Sequence, residues 1–327
     1  MRKGRAVRIR EFGGPEVLEL FEFTPRPPGF GEILVRVEAA GLNRADLLQR
    51  RGLYPAPPGS PADIPGLEYA GVVEEAGEGA GWKVGDRVMG IVGGGAMATH
   101  LTVSGREAIP IPSGMGATDA AAIPEVFLTA FDALFLQGGL CLGERLLVHA
   151  VGSGVGTAAL QLAREAGAFT LGTSRTREKL DRCRAMGLDV AILTDGRFAE
   201  EVRESTGGKG ADVVLDLVGA SYLEENLAAL APRGRLVCVG LLGGAKGNFP
   251  LGVLLQKRAT VVGTVLRSRP PEEKAQLAQR FTREILPLFE DGRLKPVVEA
   301  VFSFEQVAEA HRLLETNRTF GKVILSW

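Results

Sequence analysis

Apolar and polar residues alternate along the first third of the chain, in short segments that glycine and proline separate. The clearest segments are residues 6–14, 17–23, 32–41, 69–77 and 86–93. Alternation with a period of two is typical of strands with one buried and one exposed face. Short strands at this spacing predict a compact β barrel or sandwich.

The pattern of apolar and polar residues changes near residue 123. Apolar segments such as 145–150 and 211–219 now alternate with amphipathic segments such as 155–166 and 176–187. Strands that alternate with helices indicate βαβ units and a parallel sheet. The six strands of this region suffice for one doubly wound domain. The alternation stops near residue 268, where the pattern predicts a long amphipathic helix over 271–289, followed by a strand, a helix and a last strand.

These two sequence patterns predict two domains. At 327 residues the chain exceeds the usual size of a single hydrophobic core. We predict a parallel α/β domain over residues 123–267. It is inserted into a mainly β domain that residues 1–122 and 268–327 form together.

Composition narrows the class of protein. A net charge of −1 and a pI near 6.4 give no electrostatic reason to expect nucleic acid or an anionic membrane as a partner. The sequence has no run of about 18 apolar residues, so no membrane span is predicted. The three cysteines are widely spaced without a CxxC pair, and the basic N-terminus lacks the apolar core of a signal peptide. We therefore expect reduced thiols and a cytoplasmic location.

The segment LLVHAVGSGVGTAALQLAREAG, residues 146–167, joins an apolar strand to an amphipathic helix through a glycine-rich turn. Gly152, Gly154 and Gly156 lie where the strand must turn into the helix, and such a turn lets the N–H groups of a helix N-terminus approach a phosphate. The GxGxG spacing departs from GxGxxG, and by itself it would equally fit a tight structural turn. Because the turn opens a series of βα units, we interpret it as the pyrophosphate site of a dinucleotide.

The end of the next strand indicates which dinucleotide to expect. An NAD site usually has an acidic residue about 20 residues after the glycines, but here the sequence has Thr173, Ser174, Arg175, Arg177 and Lys179. The alternative is a solvated helix start, although cations at the positive end of a helix dipole are unfavourable without an anion. A 2′-phosphate would pair with these groups. We therefore expect NADPH.

The sequence contains no candidate metal site. Its three histidines, His100, His149 and His311, form no HxxxH or HxH pattern and do not cluster with cysteines. Metal-assisted alcohol oxidation needs cysteine, histidine and acidic ligands around an open coordination position. Isolated structural histidines are the simpler interpretation, so we expect no bound metal.

Longer segments carry a family resemblance that covers nearly the whole chain. They are AAGLNRADLLQRRGLYPAPPG, IPGLEYAGVVEEAG, VGDRVMG, AAIPEVFLTAFDAL, HAVGSGVGTAALQLA, ADVVLDLVG, GRLVCVGLLGG, TVLRSR and NRTFGKVIL. In these segments the chain resembles the zinc-free quinone oxidoreductase branch of the medium-chain dehydrogenase/reductase superfamily, which includes zeta-crystallin. The resemblance implies a Rossmann doubly wound sheet inserted in a GroES-like, mainly β catalytic domain. It also places Asn43 and Leu67 where zinc-dependent relatives carry a ligand cysteine and a ligand histidine.

The resemblance further implies that Asn43, Tyr54 and Thr129 lie beside the nicotinamide. Each has a structural alternative. Asn43 followed by Asp46 is typical of a helix N-cap with an acid in the first turn. Tyr54 precedes a rigid proline-rich loop in which an aromatic ring could simply pack, and Thr129 could cap a helix or bond its backbone. Glu68 is expected at the cleft floor, with a mainly structural role.

NADPH would lie along the loops of the α/β domain. Relatives often have a tyrosine near the 2′-phosphate where this chain has Thr194, so the preference for NADPH should rest on Ser174, Arg175 and Lys179. The expected cofactor residues are Gly152, Ser153, Gly154, Val155, Gly156, Thr173, Ser174, Arg175, Lys179, Val218, Gly219, Leu241, Leu242, Leu266, Arg267 and Lys322, the last as a phosphate contact.

These expectations describe an NADPH-dependent, zinc-free quinone oxidoreductase. Hydride would pass from NADPH to a small planar electrophile such as a quinone in a cleft between the domains, and Tyr54 or Asn43 would stabilise the oxyanion. Two alternatives stay open: a reductase of activated C=C bonds (an enone, alkenal or enoyl thioester) and a non-enzymatic NADPH-binding redox sensor. The apolar strand over 259–266 at the sheet edge, and relatives that are dimers or tetramers, predict a homodimer or a tetramer.

Overall fold

The computed structural model describes residues 3–327, which divide into two compact units. One unit contains the chain up to Leu128 together with Leu266–Trp327, and the other contains Thr129–Val265. The domain boundaries expected after residues 122 and 267 lie close to these points and stay a prediction. Across residues 3–327, every helix is too short or too polar to cross a lipid bilayer.

The first unit begins with antiparallel β structure, as the alternating pattern predicts. A two-stranded sheet of β1 and β2 precedes the strands of a larger sheet. The bounds are β1 (Gly4–Ile9), β2 (Leu18–Phe23), β3 (Glu32–Leu42), α1 (Arg44–Arg50), β4 (Glu68–Ala76), β5 (Arg87–Ile91), β6 (His100–Ser104), β7 (Ile109–Pro110), α2 (Ala117–Ala120) and α3 (Pro124–Phe131).

The second unit is a doubly wound parallel sheet with the strand order β10-β9-β8-β11-β12-β13, which confirms the predicted α/β fold. The chain winds outward in both directions from β8, so the order reverses between β8 and β11. Ligands of such sheets bind outside the carboxyl ends of the strands at this point. The bounds are β8 (Arg145–Val148), α4 (Gly154–Glu165), β9 (Phe169–Ser174), α5 (Arg177–Ala185), β10 (Val190–Leu193), α6 (Ala199–Ser205), β11 (Ala211–Asp216), α7 (Leu223–Ala229), β12 (Leu230–Cys238), α8 (Leu251–Lys257) and β13 (Thr260–Gly263).

The last segment of the chain completes the first unit. Strand β15 pairs antiparallel with β3 and parallel with β14, which gives a sheet of order β14-β15-β3-β4-β5-β7 with β6 paired to β3. The prediction of one helix over 271–289 is wrong, because Pro287 has no backbone N–H to continue the first helix. The bounds are α9 (Pro271–Glu284), α10 (Leu286–Glu290), β14 (Val298–Ser303), α11 (Val307–Glu315) and β15 (Lys322–Ser326).

Each unit has its own apolar core. In the first, Ile33 of β3, Tyr69 of β4 and Val323 of β15 are buried in one cluster. In the second, Leu147 of β8 and Val214 of β11 belong to another. These central strands are rigid, so the polar residues at their ends are held in fixed positions.

Candidate active site

The glycine turn lies between β8 and α4, at the carboxyl end of the central strand of the second unit. Ser153 caps α4, and its hydroxyl accepts the N–H of Gly156 at 3.1 Å. Within residues 3–327, no acceptor bonds the N–H groups of Gly154 or Val155. Free N–H groups at a helix N-terminus fit the pyrophosphate of a dinucleotide.

Gly156 is required by close packing of the turn. A Cβ on this residue would lie 2.5 Å from the carbonyl oxygens of Ala150 and Val151. Ala150 itself has a left-handed backbone, with φ at 48°. The first turn of α4 therefore reaches the strand end only because position 156 has no side chain.

The next strand end presents a hydroxyl and an exposed cation. Ser174 is the last residue of β9, and its side-chain oxygen accepts the N–H of Thr176 at 3.2 Å, which leaves the hydroxyl proton available to a ligand. Arg175 and Arg177 are exposed, and neither forms an ion pair with a residue that the structure describes. Lys179 is partly buried in the first turn of α5. This arrangement suits an anion.

The hydroxyl groups of Thr173 and Thr194 form hydrogen bonds within the protein. Thr173 is buried, and its hydroxyl lies 2.8 Å from His149 Nδ1. The Thr194 hydroxyl donates to the carbonyl oxygen of Arg197 and accepts the N–H of Gly196. Both hydroxyls are thus engaged within the protein, whereas Ser174 and Arg175 remain available.

A buried hydrogen-bond chain supports the turn from below. Asn226 Nδ2 donates to Asp216 at 3.0 Å, so its Oδ1 accepts from His149 Nε2 at 2.5 Å, and His149 Nδ1 in turn accepts from Thr173. Burial lowers the pKa of His149 to about 4. The ring is therefore neutral, as this series of hydrogen bonds requires, with Nε2 as donor and Nδ1 as acceptor. His149 was expected to be an isolated structural residue, and the sequence contains no local signal for its partners.

Asp216 connects this chain to the expected ribose loop. One carboxylate oxygen accepts the N–H groups of Val218 at 2.7 Å and Gly219 at 2.9 Å. Gly219 has a φ of 90°, and a Cβ there would lie 2.8 Å from the carbonyl oxygen of Gly244. The loop is therefore fixed at the carboxyl end of β11. The neighbouring loop carries the exposed side chains of Leu241 and Leu242.

In the first unit, Asn43 and Glu68 share a buried cation. Lys322 Nζ lies 2.6 Å from Glu68 Oε1 and donates to Asn43 Oδ1 at 2.7 Å and to the Leu42 carbonyl oxygen at 2.9 Å. Asn43 Nδ2 donates to the same Glu68 oxygen at 2.8 Å. The three N–H donors of Lys322 are thus all used. This differs from the expected phosphate contact, because a lysine that is 4% exposed has no donor left for a ligand.

Asn43 is also the N-cap residue of α1, as its spacing to Asp46 predicts. Asp46 accepts the N–H groups of Asn43 at 2.8 Å and Gly66 at 2.9 Å. Burial raises the pKa of Asp46 to about 6, against the effect of these two hydrogen bonds. Asp46 is therefore structural, and it orients the backbone that carries Asn43.

Arg267 holds Tyr54 in place. Its guanidinium lies 4.9 Å from the centre of the Tyr54 ring and donates to the carbonyl oxygens of Tyr54 and Gly93 and to the side chain of Gln49. Arg267 and its neighbour Leu266 are each 4% exposed. Because the Arg267 donors bond carbonyl and amide oxygens of the first unit, Arg267 supports this loop where a cofactor contact was expected, and the expected cofactor contact of Leu266 stays a prediction. The Tyr54 hydroxyl has no partner among the described residues.

Helix α3 brings Glu125 to the same cluster. The N–H of Glu125 donates to Glu68 Oε2 at 2.8 Å, so the two oxygens of Glu68 serve Lys322 and Asn43 on one side and α3 on the other. Burial, and next the charge of Glu68, raises the pKa of Glu125 to about 8. Sequence reasoning did not single out this residue. Thr129 was named by the sequence analysis. It is buried in the second half of α3, so it does not cap the start of this helix.

Ligand groups for a metal are not assembled in this structure. Within residues 3–327, no three histidine, cysteine, aspartate or glutamate side chains are arranged to hold a metal ion. Glu68 and Asp46 of the first unit are instead paired with lysine, amide and backbone donors.

A parallel sheet whose central strand ends in a glycine turn with free N–H groups is typical of dinucleotide-binding proteins. The family described as zinc-binding dehydrogenase matches residues 154–283, and the alcohol dehydrogenase GroES-like domain matches residues 29–113. A quinone oxidoreductase of Pseudomonas aeruginosa is 35% identical over 98% of this chain and 99% of its own length.

Solved structures are similar over the same extent. The crystal structure of an NAD-dependent alcohol dehydrogenase has a TM-score of 0.88 and 36% identity, and covers 99% of both chains. That of CurK enoyl reductase has a TM-score of 0.86 and 29% identity, and also covers 99% of both. The chain belongs to the medium-chain dehydrogenase/reductase superfamily, with a GroES-like unit and a Rossmann unit. Members of this family are oxidoreductases that bind a nicotinamide dinucleotide.

Proposed function

We propose that this chain is a zinc-independent oxidoreductase that transfers hydride from NADPH to a quinone. The observation that carries the choice of cofactor is the end of β9, where Ser174 and the exposed Arg175 stand in place of an acidic residue. The similarity to the quinone oxidoreductase of Pseudomonas aeruginosa supports the choice of acceptor.

The residues of the second unit fit this cofactor. Gly154 and Val155 would hold the pyrophosphate through their N–H groups, and Ser174, Arg175 and Lys179 would hold the 2′-phosphate. The loops at Val218 and at Leu241 would flank the ribose and the nicotinamide half. When bound, NADPH supplies the hydride. The protein would hold NADPH and the acceptor in a reactive orientation, and its hydrogen-bond donors would stabilise the charge that develops on the acceptor.

The proposal is tested by following NADPH and NADH consumption separately with the purified protein. The acceptors are an ortho-quinone, a para-quinone, a long-chain alkenal and an enoyl-coenzyme A. We expect NADPH to be oxidised with the quinones. Preferential use of NADH would contradict the assignment of Ser174 and Arg175, and inactivity with every acceptor, together with NADPH binding, would favour a redox sensor.

Reduction of an activated C=C bond is the second candidate. It is favoured by the structural similarity to CurK enoyl reductase. Both reactions need hydride delivery and neutralisation of an oxyanion, so the same residues would serve either acceptor. Turnover restricted to the alkenal or the thioester would select this reaction.

Replacing Arg175 with glutamine should reduce the preference for NADPH over NADH. A charge-assisted contact with a phosphate contributes about 1.5–3 kcal/mol, which corresponds to roughly a tenfold or greater rise in KM for NADPH with little change for NADH. Steady-state kinetics with both cofactors measures the effect. Arg233→Gln, at another exposed arginine of the same unit, is the control. Equal losses with both cofactors would argue against a 2′-phosphate contact.

Replacing Tyr54 with phenylalanine should lower kcat roughly 10-fold, because one donor to the acceptor is lost while water replaces part of its role. The hydroxyl has no protein partner among the described residues, so the substitution leaves no buried group unpaired. Thermal unfolding should therefore be unchanged. Unchanged rates with every acceptor would remove Tyr54 from the mechanism.

A homodimer is proposed through the edge of the parallel sheet. Strand β13 is the edge strand, and Leu251, Leu255 and Val265 near it are exposed apolar residues. An open apolar edge is best protected by pairing with a second subunit.

A further inference from the structure

We propose that Glu125 is the proton donor of the reduction: its carboxylic acid protonates the anion that the acceptor becomes when it takes up the hydride. The inference rests on the proposed function and adds to it the group that completes the reaction.

The backbone of Glu125 is fixed while its side chain is free. Its N–H donates to Glu68 Oε2 in the first turn of α3, where the N–H groups of a helix otherwise lack partners. The carboxyl group of Glu125 forms no hydrogen bond with any described residue, and the residue is only partly buried. A carboxyl group held in place, without a protein partner and open to a ligand, is what proton transfer to a bound molecule requires.

The carboxyl groups of Glu68 and Glu125 have different surroundings. The charge of Glu68 is matched by Lys322 and by the amide of Asn43, so it is committed to holding the structure together. Glu125 has no cation bonded to it among residues 3–327. Two neighbouring carboxyl groups in different environments are a common arrangement for an ionised and a protonated acid side by side.

Burial and four charged groups influence the pKa of Glu125. Burial has the largest effect on its pKa; Glu68 of β4 and Asp46 of α1 raise it further, while Lys322 of β15 and Arg267 lower it. The result is a pKa of about 8, so the side chain is mostly protonated at neutral pH. Glu125 also acts on Tyr54: burial raises the pKa of the phenol, Arg267 lowers it, and the charge of Glu125 raises it further. An acid with a pKa near the working pH donates and recovers its proton efficiently.

The chemistry balances with Glu125 as donor. A quinone that accepts a hydride gains two electrons and one hydrogen, and becomes a hydroquinone monoanion. The O–H bond of Glu125 then breaks, its electron pair stays on the carboxylate, and the proton forms the second O–H bond of the hydroquinone. Glu125 recovers a proton from water. With an activated C=C acceptor, the same proton would go to the carbon next to the carbonyl group.

The test compares Glu125→Gln with Glu125→Asp and with a matched control. Glu107 is a second partly buried glutamate of the first unit, and burial raises its pKa as well. Glu107→Gln should leave the rates unchanged. With a quinone and NADPH, we expect kcat of the wild type to fall as the pH rises through about 8, because the acid form is lost. Glu125→Gln should lower kcat on the order of 10²-fold and abolish this decline, and Glu125→Asp should restore part of both.

Three results would overturn the proposal. A wild-type rate that is constant between pH 7 and 9.5, measured without any variant, excludes a donor of this pKa. Glu125→Gln with the wild-type rate and pH profile excludes this residue. So does an infrared difference spectrum, wild type minus Glu125→Gln, without a protonated carboxyl band at pH 7. Unchanged NADPH binding by fluorescence confirms that the variant is folded. A wild-type protein that reduces no acceptor would contradict the proposed function itself, whereas the three results above contradict only the role of Glu125.

Discussion

Replacing Lys322 with methionine is expected to destabilise the protein by about 3–5 kcal/mol. Lys322 is the buried counterion of Glu68, and the two atoms Nζ and Oε1 lie 2.6 Å apart with side chains that are 4% and 0% exposed. Without the lysine, Glu68 keeps a charge in the protein interior, and Asn43 Oδ1 and the Leu42 carbonyl oxygen lose their donor. Chemical denaturation monitored by circular dichroism measures the change in unfolding free energy.

A second pair in the same unit provides the control. Lys3 and Glu22 form an ion pair at 2.9 Å, but both side chains are mostly exposed. Lys3→Met should therefore leave the unfolding free energy almost unchanged, because water and salt screen an exposed ion pair. The double variant Lys322→Met with Glu68→Gln should recover part of the loss, because the uncompensated charge is gone. Equal effects of Lys322→Met and Lys3→Met would contradict the structural role of Lys322.

Replacing Gly156 with alanine is expected to weaken NADPH binding on the order of 10²-fold and to lower stability by about 1–3 kcal/mol. The new Cβ would lie 2.5 Å from two backbone oxygens, those of Ala150 and Val151, so neither neighbour can move aside by rotating a side chain. The first turn of α4 must shift instead, and it carries the N–H groups proposed to bind the pyrophosphate. Fluorescence titration with NADPH and thermal unfolding measure the two effects.

Gly252 provides the matched control for this substitution. It lies in α8 of the same unit, and a Cβ there would meet no atom within 4 Å. Gly252→Ala should leave NADPH binding unchanged and stability equal or slightly higher, since alanine favours helix over glycine. NADPH affinity of Gly156→Ala within about twofold of the wild type would show that the turn does not bind the cofactor.

Glu68 links the stability of the first unit to its proposed chemistry. Its two oxygens connect β15 and Asn43 to α3, which carries Glu125. Loss of Lys322 would therefore disturb both Asn43 and the helix that carries Glu125. For this reason a stability measurement should accompany every activity measurement on variants of this cluster.

Much of the fold could be predicted from local patterns. The pattern of apolar residues predicted β1 to β5, β14 and β15 of the first unit and the strands of the second, but not β6 or β7. The glycine turn predicted the position of α4 to within one residue. The N-cap at Asn43 followed from the acid three residues later. The break between α9 and α10 was missed although Pro287 signals it, because the amphipathic pattern continues across the proline.

The roles of the charged residues were harder to predict. Lys322 and Arg267 were expected to contact the cofactor, because the family resemblance places both along it. The structure places both in the interior, with carboxylate, amide and carbonyl acceptors. Glu125 carried no signal at all, because its neighbours in sequence are apolar and its charged neighbours in space come from other elements.

The sequence by itself determined the order of strands and helices, the glycine turn and the absence of an acidic residue after β9. These features depend on residues that are neighbours along the chain, and local sterics and periodicity decide them. Only the tertiary structure decided that Lys322 neutralises Glu68, that Arg267 supports Tyr54 and that burial raises the pKa of Glu125. Charge and hydrogen bonding depend on burial and on partners brought together from distant segments, and a sequence pattern does not contain those distances.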